Sequence, residues 1–387
     1  MQGKSIPYGR QSISEEDIKA VVTTLQSDFL TQGPRIAEFE LKFASYVGAK
    51  YAVAVANGTA ALHLSAMALE VGPGQRVITT PITFCASANC VKYCGGEVTF
   101  ADIDPDTYLL DIDQVRKLLE HSPKGSYTGI IPVDFAGRTL NMEKLGTLAK
   151  EFGLWIIEDA CHAPGAYFMD SQNERQFCGK CNYGDVAIFS FHPVKHITCG
   201  EGGMITTNNE SLYKRLLVLR THGITKDPAM LQENDGGWYY EMQTLGYNYR
   251  LTDFQAALGI SQLDKAADRL SRRREIAAVY FNAFKEKPYI RGQSGVIDGH
   301  AYHLYIIRTA KRKGLYDFLK GKNIFPQVHY IPVHRLPYYQ ALGWKKGDFP
   351  HAEKYYEECL SLPMYPTLSG EEQQYVINCV DEFFEGN

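Results

Sequence analysis

The sequence predicts an α/β protein. A large N-terminal domain, residues 1–251, is expected to carry a mostly parallel seven-stranded sheet, and a smaller α/β domain is expected over 252–387. Three observations carry this. Seven short runs in the first half of the chain are apolar almost throughout, the pattern of strands covered on both faces. Helix-like segments fall between most of the first five runs, the βα alternation of a parallel sheet. Past residue 252 the texture changes to long stretches with apolar positions near helical spacing. The chain has 387 residues, 45% hydrophobic and 22% charged, enough for one large domain and a smaller one.

In chain order, YAVAVA (51–56) passes through Asn57-Gly58-Thr59 into an Ala/Leu-rich helix over 58–70. RVITT (76–80) leads to a helix over 84–94, EVTFADI (97–103) to one over 111–121, and GIIPVDF (129–135) to one over 141–152. LWIIEDA (154–160) ends on two carboxylates. DVAIFSF (185–191) and GGMITTN (202–208) are joined by a turn too short for a crossover helix, so one of the two is expected to be antiparallel. The stretch from Leu251 to Lys287 reads as one long helix that stops before Pro288 and hinges the second domain. HLYIIRTA (303–310), a helix holding Leu315 and Phe318, FPQVHYIPVH (325–334) and a last helix near 370–385 complete that domain.

The net charge of −4 argues against a whole-protein footprint for nucleic acid. The N-terminal MQGKSIPYGRQSISEED lacks an apolar signal core, and no run approaches the ~18–20 apolar residues of a membrane span. A cytoplasmic location, with neither nucleic acid nor membrane as partner, is the expectation. The nine cysteines sit mostly inside apolar runs and read as reduced, buried thiols.

Four stretches could carry chemistry. In FSFHPVKHITCGEGG (189–203), Lys195 follows a strand by a few residues beside Pro193, at the carboxyl edge where open α/β sheets bind ligands. It is either a solvated turn lysine or a presented amine. In IIEDACHAPGA (156–166), Asp159 ends a strand, as a loop acid or as an acid aimed at a pyridine nitrogen. A lysine for a Schiff base and an acid for the ring nitrogen are the pair that pyridoxal phosphate requires. His162 then stacks on that ring, bonds Asp159 or is a satisfied loop histidine. In VANGTAALHLSAMAL (55–69) the helix start offers backbone N–H groups and the Thr59 hydroxyl to an anion, unless Thr59 is simply the N-cap, and Ser190 offers a second hydroxyl to the same phosphate. In TTPITFCASAN (79–89), Phe84 lies on a flat ring or packs in the core.

These stretches, with LGYNYRLTDFQAALGISQL (245–263), resemble the DegT/DnrJ/EryC1/StrS family of sugar aminotransferases over nearly the whole chain, from LTQGPRIAEFE (30–40) to LSLPMYP (360–366). The resemblance implies a fold-type-I enzyme with pyridoxal 5'-phosphate as cofactor and pyridoxamine phosphate as its aminated form. It implies Lys195 as the Schiff-base lysine, Asp159 with His162 at the ring nitrogen, and Phe84 as the stacking ring. Thr59, Ala60 and Ser190 match phosphate contacts, and Asn248 matches one supplied by a second subunit, so a homodimer with shared sites is implied. TTPITFCASAN and VDFAG (133–137) are most similar to transaminases of pseudaminic acid biosynthesis. The implied partners are L-glutamate/2-oxoglutarate and a UDP-linked 4-keto-6-deoxy-N-acetylhexosamine aminated at C4. A dTDP- or GDP-linked sugar, C3 chemistry and a non-transaminating member stay open, although Lys195 favours transamination over dehydration.

Candidate sugar contacts are Tyr8, Arg250, His329, Tyr330 and His334; the last three fall in QVHYIPVHRLPYY (327–339) with Arg335. That segment either closes over a sugar diphosphate or packs between domains. Cys178 and Cys181 form a C-x-x-C pair outside the family pattern, read as inert loop thiols because zinc needs two further ligands at matching spacing. No metal is assigned, and a Rossmann-type oxidoreductase is disfavoured because ANGTAAL lacks G-x-G-x-x-G.

Overall fold

The computed structural model describes residues 5–292 and 297–386. Residues 1–4 of the N-terminal domain lie outside the described residues. Each of the seven apolar runs is a strand of one sheet. After a short strand β1 (Ile6–Pro7), they are β2 (Tyr51–Val55), β3 (Arg76–Thr79), β4 (Glu97–Phe100), β5 (Gly129–Ile131) and β6 (Trp155–Asp159). Beyond a hairpin, β7 (Tyr167–Met169) and β8 (Arg175–Phe177), come β9 (Val186–Ser190) and β10 (Gly203–Thr207). The sheet order is β2-β10-β9-β6-β5-β3-β4. Only β10 runs against its neighbours, β2 and β9; the other pairs are parallel. The antiparallel strand expected at the short 191–202 connection is therefore β10. As a consequence β2, β3, β5, β6 and β9 all end at one edge, and the loops and helix starts that leave these strands meet there.

Helices α1 (Glu15–Leu25) and α2 (Pro34–Val47) precede the sheet, and α3 (Gly58–Ala68), α4 (Ala86–Tyr93), α5 (Ile112–Glu120) and α6 (Met142–Phe152) make the crossovers. α3 buries nine residues, from Gly58 to Ala68, because its sequence is apolar on every side. α7 (Glu210–Arg220) follows β10, and a ribbon, β11 (Ile224–Thr225) and β12 (Glu241–Met242), leads to α8 (Asp253–Leu263).

The single long helix expected after residue 252 is two helices. α8 ends at Asp264, and α9 (Ala266–Phe284) begins after Lys265. No proline or glycine marks the break. Tertiary bonds make it: Lys265 Nζ donates to Ser14 Oγ and Asp17 Oδ1 at 2.6 and 2.9 Å, fixing the joint against α1. α8 packs on α1 and α2, whereas Ile276, Ala277, Tyr280 and Phe284 of α9 enter the C-terminal core.

That core is built on β13 (Arg291–Gly292), β14 (Tyr305–Arg308) and β16 (Cys359–Leu362), with α10 (Arg312–Gly321) and the last helix, Gly370–Glu385. Strand β1 pairs in parallel with β15 (Ile324–Phe325), and Ile6 is buried in the same core, so the N-terminal segment is tied to the C-terminal part of the chain. Among the described residues no helix is long and apolar enough to cross a membrane.

Candidate active site

At the shared strand edge lies a cavity of about 460 Å³. Its floor is Asp159, the last residue of β6, buried at 5% exposure. Both carboxylate oxygens are held: Ser87 Oγ donates to Oδ2 at 2.7 Å and the Cys161 N–H to Oδ1 at 3.2 Å. Ser87 sits one helical turn past Phe84 and is itself bonded to Thr83 Oγ1 at 2.8 Å. Lys195 reaches the same cavity from the turn after β9, closed by its N–H on the His192 carbonyl at 2.9 Å. Burial pushes its amine below the ordinary lysine value, against the upward pull of Cys161 and Asp159.

The opposite end of the cavity is the start of α3. Its N-cap is Asn57, whose Oδ1 accepts the Ala60 N–H at 2.8 Å, so Thr59 is not the cap. Gly58 and Thr59 line the cavity, but Ala60 does not: it is 3% exposed and its N–H is already taken. The first-turn N–H groups have no helical carbonyl and can face an anion. Ser190, at the end of β9, completes this side. A side chain on residue 58 would put Cβ 3.0 Å from Ser190 Cβ, so glycine is what lets the helix start approach the strand end. Phe84, 59% exposed, stands at the mouth 6.2 Å from the Tyr330 ring.

His162 lines the cavity without bonding Asp159. Its Nδ1 accepts the Ala136 N–H at 3.3 Å, its Nε2 is 3.2 Å from Tyr330 Oη, and its ring lies 4.3 Å from that of His303. Burial, then Lys195 and His329, hold it well below the ordinary histidine value. The C-terminal part contributes His303, His329 and Tyr330, and Tyr8 of the N-terminal arm closes the wall with its ring 5.0 Å from that of His329. Ser87, His303 and Glu201 also line the cavity beyond the sequence expectation. The helical spacing from Phe84 was a usable signal for Ser87; nothing local marks the other two.

Three expected contacts, His334, Arg250 and Asn248, lie elsewhere. His334 is fully buried behind the site, where its Nε2–H donates to Glu353 Oε1 at 2.9 Å and its ring packs on Phe349, so it is structural and not a sugar contact. Its neighbour Arg335 lies over the Tyr356 ring. Arg250 lines a separate surface cleft with Gln32 and Thr221, and Asn248, exposed on the same face, bridges to Thr221. Neither Arg250 nor Asn248 touches this chain's cavity.

Directly behind Asp159 is a second set of acids. Cys178 Sγ donates to Asp134 Oδ2 at 3.1 Å, the Gly179 N–H to Glu158 Oε2 at 3.0 Å, and the Leu140 N–H to Asp134 Oδ1 at 2.9 Å. Burial, then the Asp134 charge, pushes Glu158 well above the carboxylate range, and burial, with the Asp159 charge, also raises Asp134. Cys178 lies in the turn after β8, as a loop thiol was expected to, but is buried there, and Cys181 Sγ donates to the Gly179 and Thr206 carbonyls. All nine cysteines are free.

A phosphorylated pyridine fits these walls. The anion cradle at Gly58, Thr59 and Ser190, an acid oriented by two donors at Asp159, an amine at Lys195 and an uncovered ring at Phe84 converge on one cavity.

The DegT/DnrJ/EryC1/StrS aminotransferase family model matches residues 11–381. The spore coat polysaccharide biosynthesis protein SpsC of Bacillus subtilis is 40% identical, over 98% of this chain and 97% of its own length. Among solved structures, PseC of Helicobacter pylori, described as an aminotransferase involved in the biosynthesis of pseudoaminic acid, superposes with a TM-score of 0.89 at 31% identity, covering 99% of this chain and all of its own. The putative sugar aminotransferase Spr1654 of Streptococcus pneumoniae, solved in pyridoxal and pyridoxamine phosphate forms, gives 0.89 at 30% identity over 99% of this chain, and 99% and 98% of those chains. With the sheet, the cavity and these matches in agreement, the chain belongs to the DegT/DnrJ/EryC1/StrS aminotransferase family, as a sugar aminotransferase of fold type I that uses pyridoxal phosphate.

Proposed function

We propose that the protein moves an amino group from L-glutamate to C4 of a UDP-linked 4-keto-6-deoxy-N-acetylhexosamine, in a pathway of the pseudaminic acid type. The observation that carries the chemistry is the convergence of Lys195, Asp159 and the α3 anion cradle on one cavity. The pathway is favoured by the likeness to PseC, and the UDP-linked keto-sugar is what the sequence resemblance implies; a dTDP- or GDP-linked keto-sugar is the second reading.

Pyridoxal phosphate supplies an electron sink for the carbon that loses or gains a proton. The chain's own groups do the rest. Lys195 Nζ, its amine lowered by burial, is the nucleophile that anchors the group and then the base that moves the proton. Asp159, fixed by Ser87 and Cys161, would keep the ring nitrogen of the bound group protonated. Phe84 would cover a face of the ring and His162 would flank it, and Thr59 and Ser190 would hold the phosphate with the α3 N-terminus. Tyr8, His329 and Tyr330 form the sugar side. Arg250 and Asn248, outside this chain's cavity, are proposed to act across a homodimer, Asn248 on the partner's phosphate. We further propose a cytoplasmic enzyme with two units, 1–251 and 252–387.

The test is the absorbance of the holoenzyme before and after borohydride, with a peptide map. A visible band that collapses and leaves a pyridoxyl group on Lys195 is expected; a protein that stays colourless with added pyridoxal phosphate overturns the assignment. Glutamate-dependent release of 2-oxoglutarate across UDP-, dTDP- and GDP-linked keto-sugars then decides the substrate.

A further inference from the structure

One polar chain in the cavity wall has no role in the transamination steps assigned to Lys195 and Asp159. The Ala136 N–H lies 3.3 Å from His162 Nδ1. A backbone N–H only donates, so Nδ1 accepts and the neutral ring carries its hydrogen on Nε2. Nε2 is 3.2 Å from Tyr330 Oη, so this N–H donates to the phenol oxygen. A phenol that has accepted one bond still has its own hydrogen to give, and Tyr330 Oη has no other partner among the described residues. Burial pushes the phenol well above its ordinary value, so that hydrogen stays in place. The rings are confined: His303 lies against His162 at 4.3 Å, and Phe135 stands edge-on to Tyr330 at 6.1 Å. Both His162 and Tyr330 line the cavity, His162 just past β6 and Tyr330 from the C-terminal part.

We infer that Tyr330 is a fixed hydrogen-bond donor to an oxygen acceptor of the cavity's occupant, and that His162 is a positioning residue that aims it. The inference rests on the aminotransferase reading. The acceptor is an oxygen with a free lone pair and partial or full negative charge, either the phenolic oxygen of pyridoxal phosphate or a carbonyl or hydroxyl oxygen of the sugar.

The experiment uses wild-type protein, Tyr330→Phe, His162→Leu and His162→Gln, each loaded with pyridoxal phosphate and checked for fold by thermal melting. Two readouts are taken: the pH midpoint of the visible band, and the rates of the glutamate and sugar half-reactions. If the acceptor is the cofactor's oxygen, Tyr330→Phe raises the midpoint by about half a unit or more. If it is a sugar oxygen, the midpoint holds and kcat/KM of the sugar half-reaction falls about tenfold while the glutamate half-reaction is kept. His162→Leu reproduces the change, and His162→Gln, whose amide can replace the Nε2–H donor, restores most of it. A Tyr330→Phe enzyme with an unmoved midpoint and both half-reactions within about twofold of wild type overturns the inference. An effect of Tyr330→Phe that His162→Leu does not share overturns the positioning role. Wild-type protein that takes up no pyridoxal phosphate overturns the aminotransferase reading first and this inference with it.

Discussion

Asp159 works through the groups that hold it. Ser87 contributes a 2.7 Å hydrogen bond to a carboxylate that is 5% exposed. Ser87→Ala removes one charge-assisted bond and is expected to lower kcat/KM about tenfold with little change in melting temperature; steady-state kinetics beside a thermal melt checks this. His334 gives the opposite outcome. Burial outweighs the pull of Glu353 and keeps its imidazole below the ordinary value, so the contact is a neutral N–H on a carboxylate. His334→Ala strands a largely buried acid and should cost about 2–3 kcal/mol in a denaturant titration, with kcat unchanged. Lys195, Asp159, Thr59, Phe84 and Ser190 were legible as site residues because each lies beside a strand end or a helix start, where position follows from sequence order. His334 was not legible as a core residue because it shares a histidine-rich segment with His329 and Tyr330, and only the three-dimensional path shows which of these faces the cavity.

The seven strands and four crossover helices were legible because period and apolar runs are local properties. The break between α8 and α9 was not, since it depends on Lys265 meeting residues more than two hundred positions earlier. α1 is absent from the sequence expectation although Ser14 and Asp17 form a capping box. Asp17 also anchors α1 to α8. Burial alone would raise its carboxyl, but bonds from Ser261 and Lys265 and the Ser14 N–H outweigh this and hold it at about 2, below the ordinary 3.8. A depressed acid stabilises the fold above its unfolded value and loses that stabilisation as pH falls through the folded one. Protection of the α1 amides, relative to the unstructured rate at the same pH, is therefore expected to fall as pH drops from 3.8 toward 2, and Asp17→Asn should lose this protection already at neutral pH. An Asp17→Asn protein whose α1 stays protected at neutral pH would refute this anchoring.

On the scale of the molecule, the cavity has walls from both halves of the chain, and buried Arg273 braces the C-terminal wall. Its guanidinium donates to the carbonyls of Tyr302, His303 and Met364 at 3.1, 3.3 and 3.0 Å, holding the His303 segment against the site. A ligand seated there stabilises the folded state by mass action. Pyridoxal phosphate at a hundred times its Kd is expected to add about 2.7 kcal/mol, read as a rise in melting temperature. Lys195→Ala, which binds the group without a covalent bond, should show a smaller rise at the same concentration; an equal rise would mean that Lys195 does not anchor it.

By itself the sequence determined the strand and helix order, the reversed strand at the 191–202 connection, the family, and the lysine–aspartate pair, because these depend on local periodicity and on motifs read along the chain. Only the tertiary structure decided that Asn57 caps α3, that His162 turns to Ala136 and Tyr330 and not to Asp159, and that Asp134 and Glu158 are buried together behind the site. Those are choices between competing hydrogen-bond partners and depths of burial. They are settled by which groups the folded chain brings within about 3 Å of one another, a distance that no stretch of sequence records.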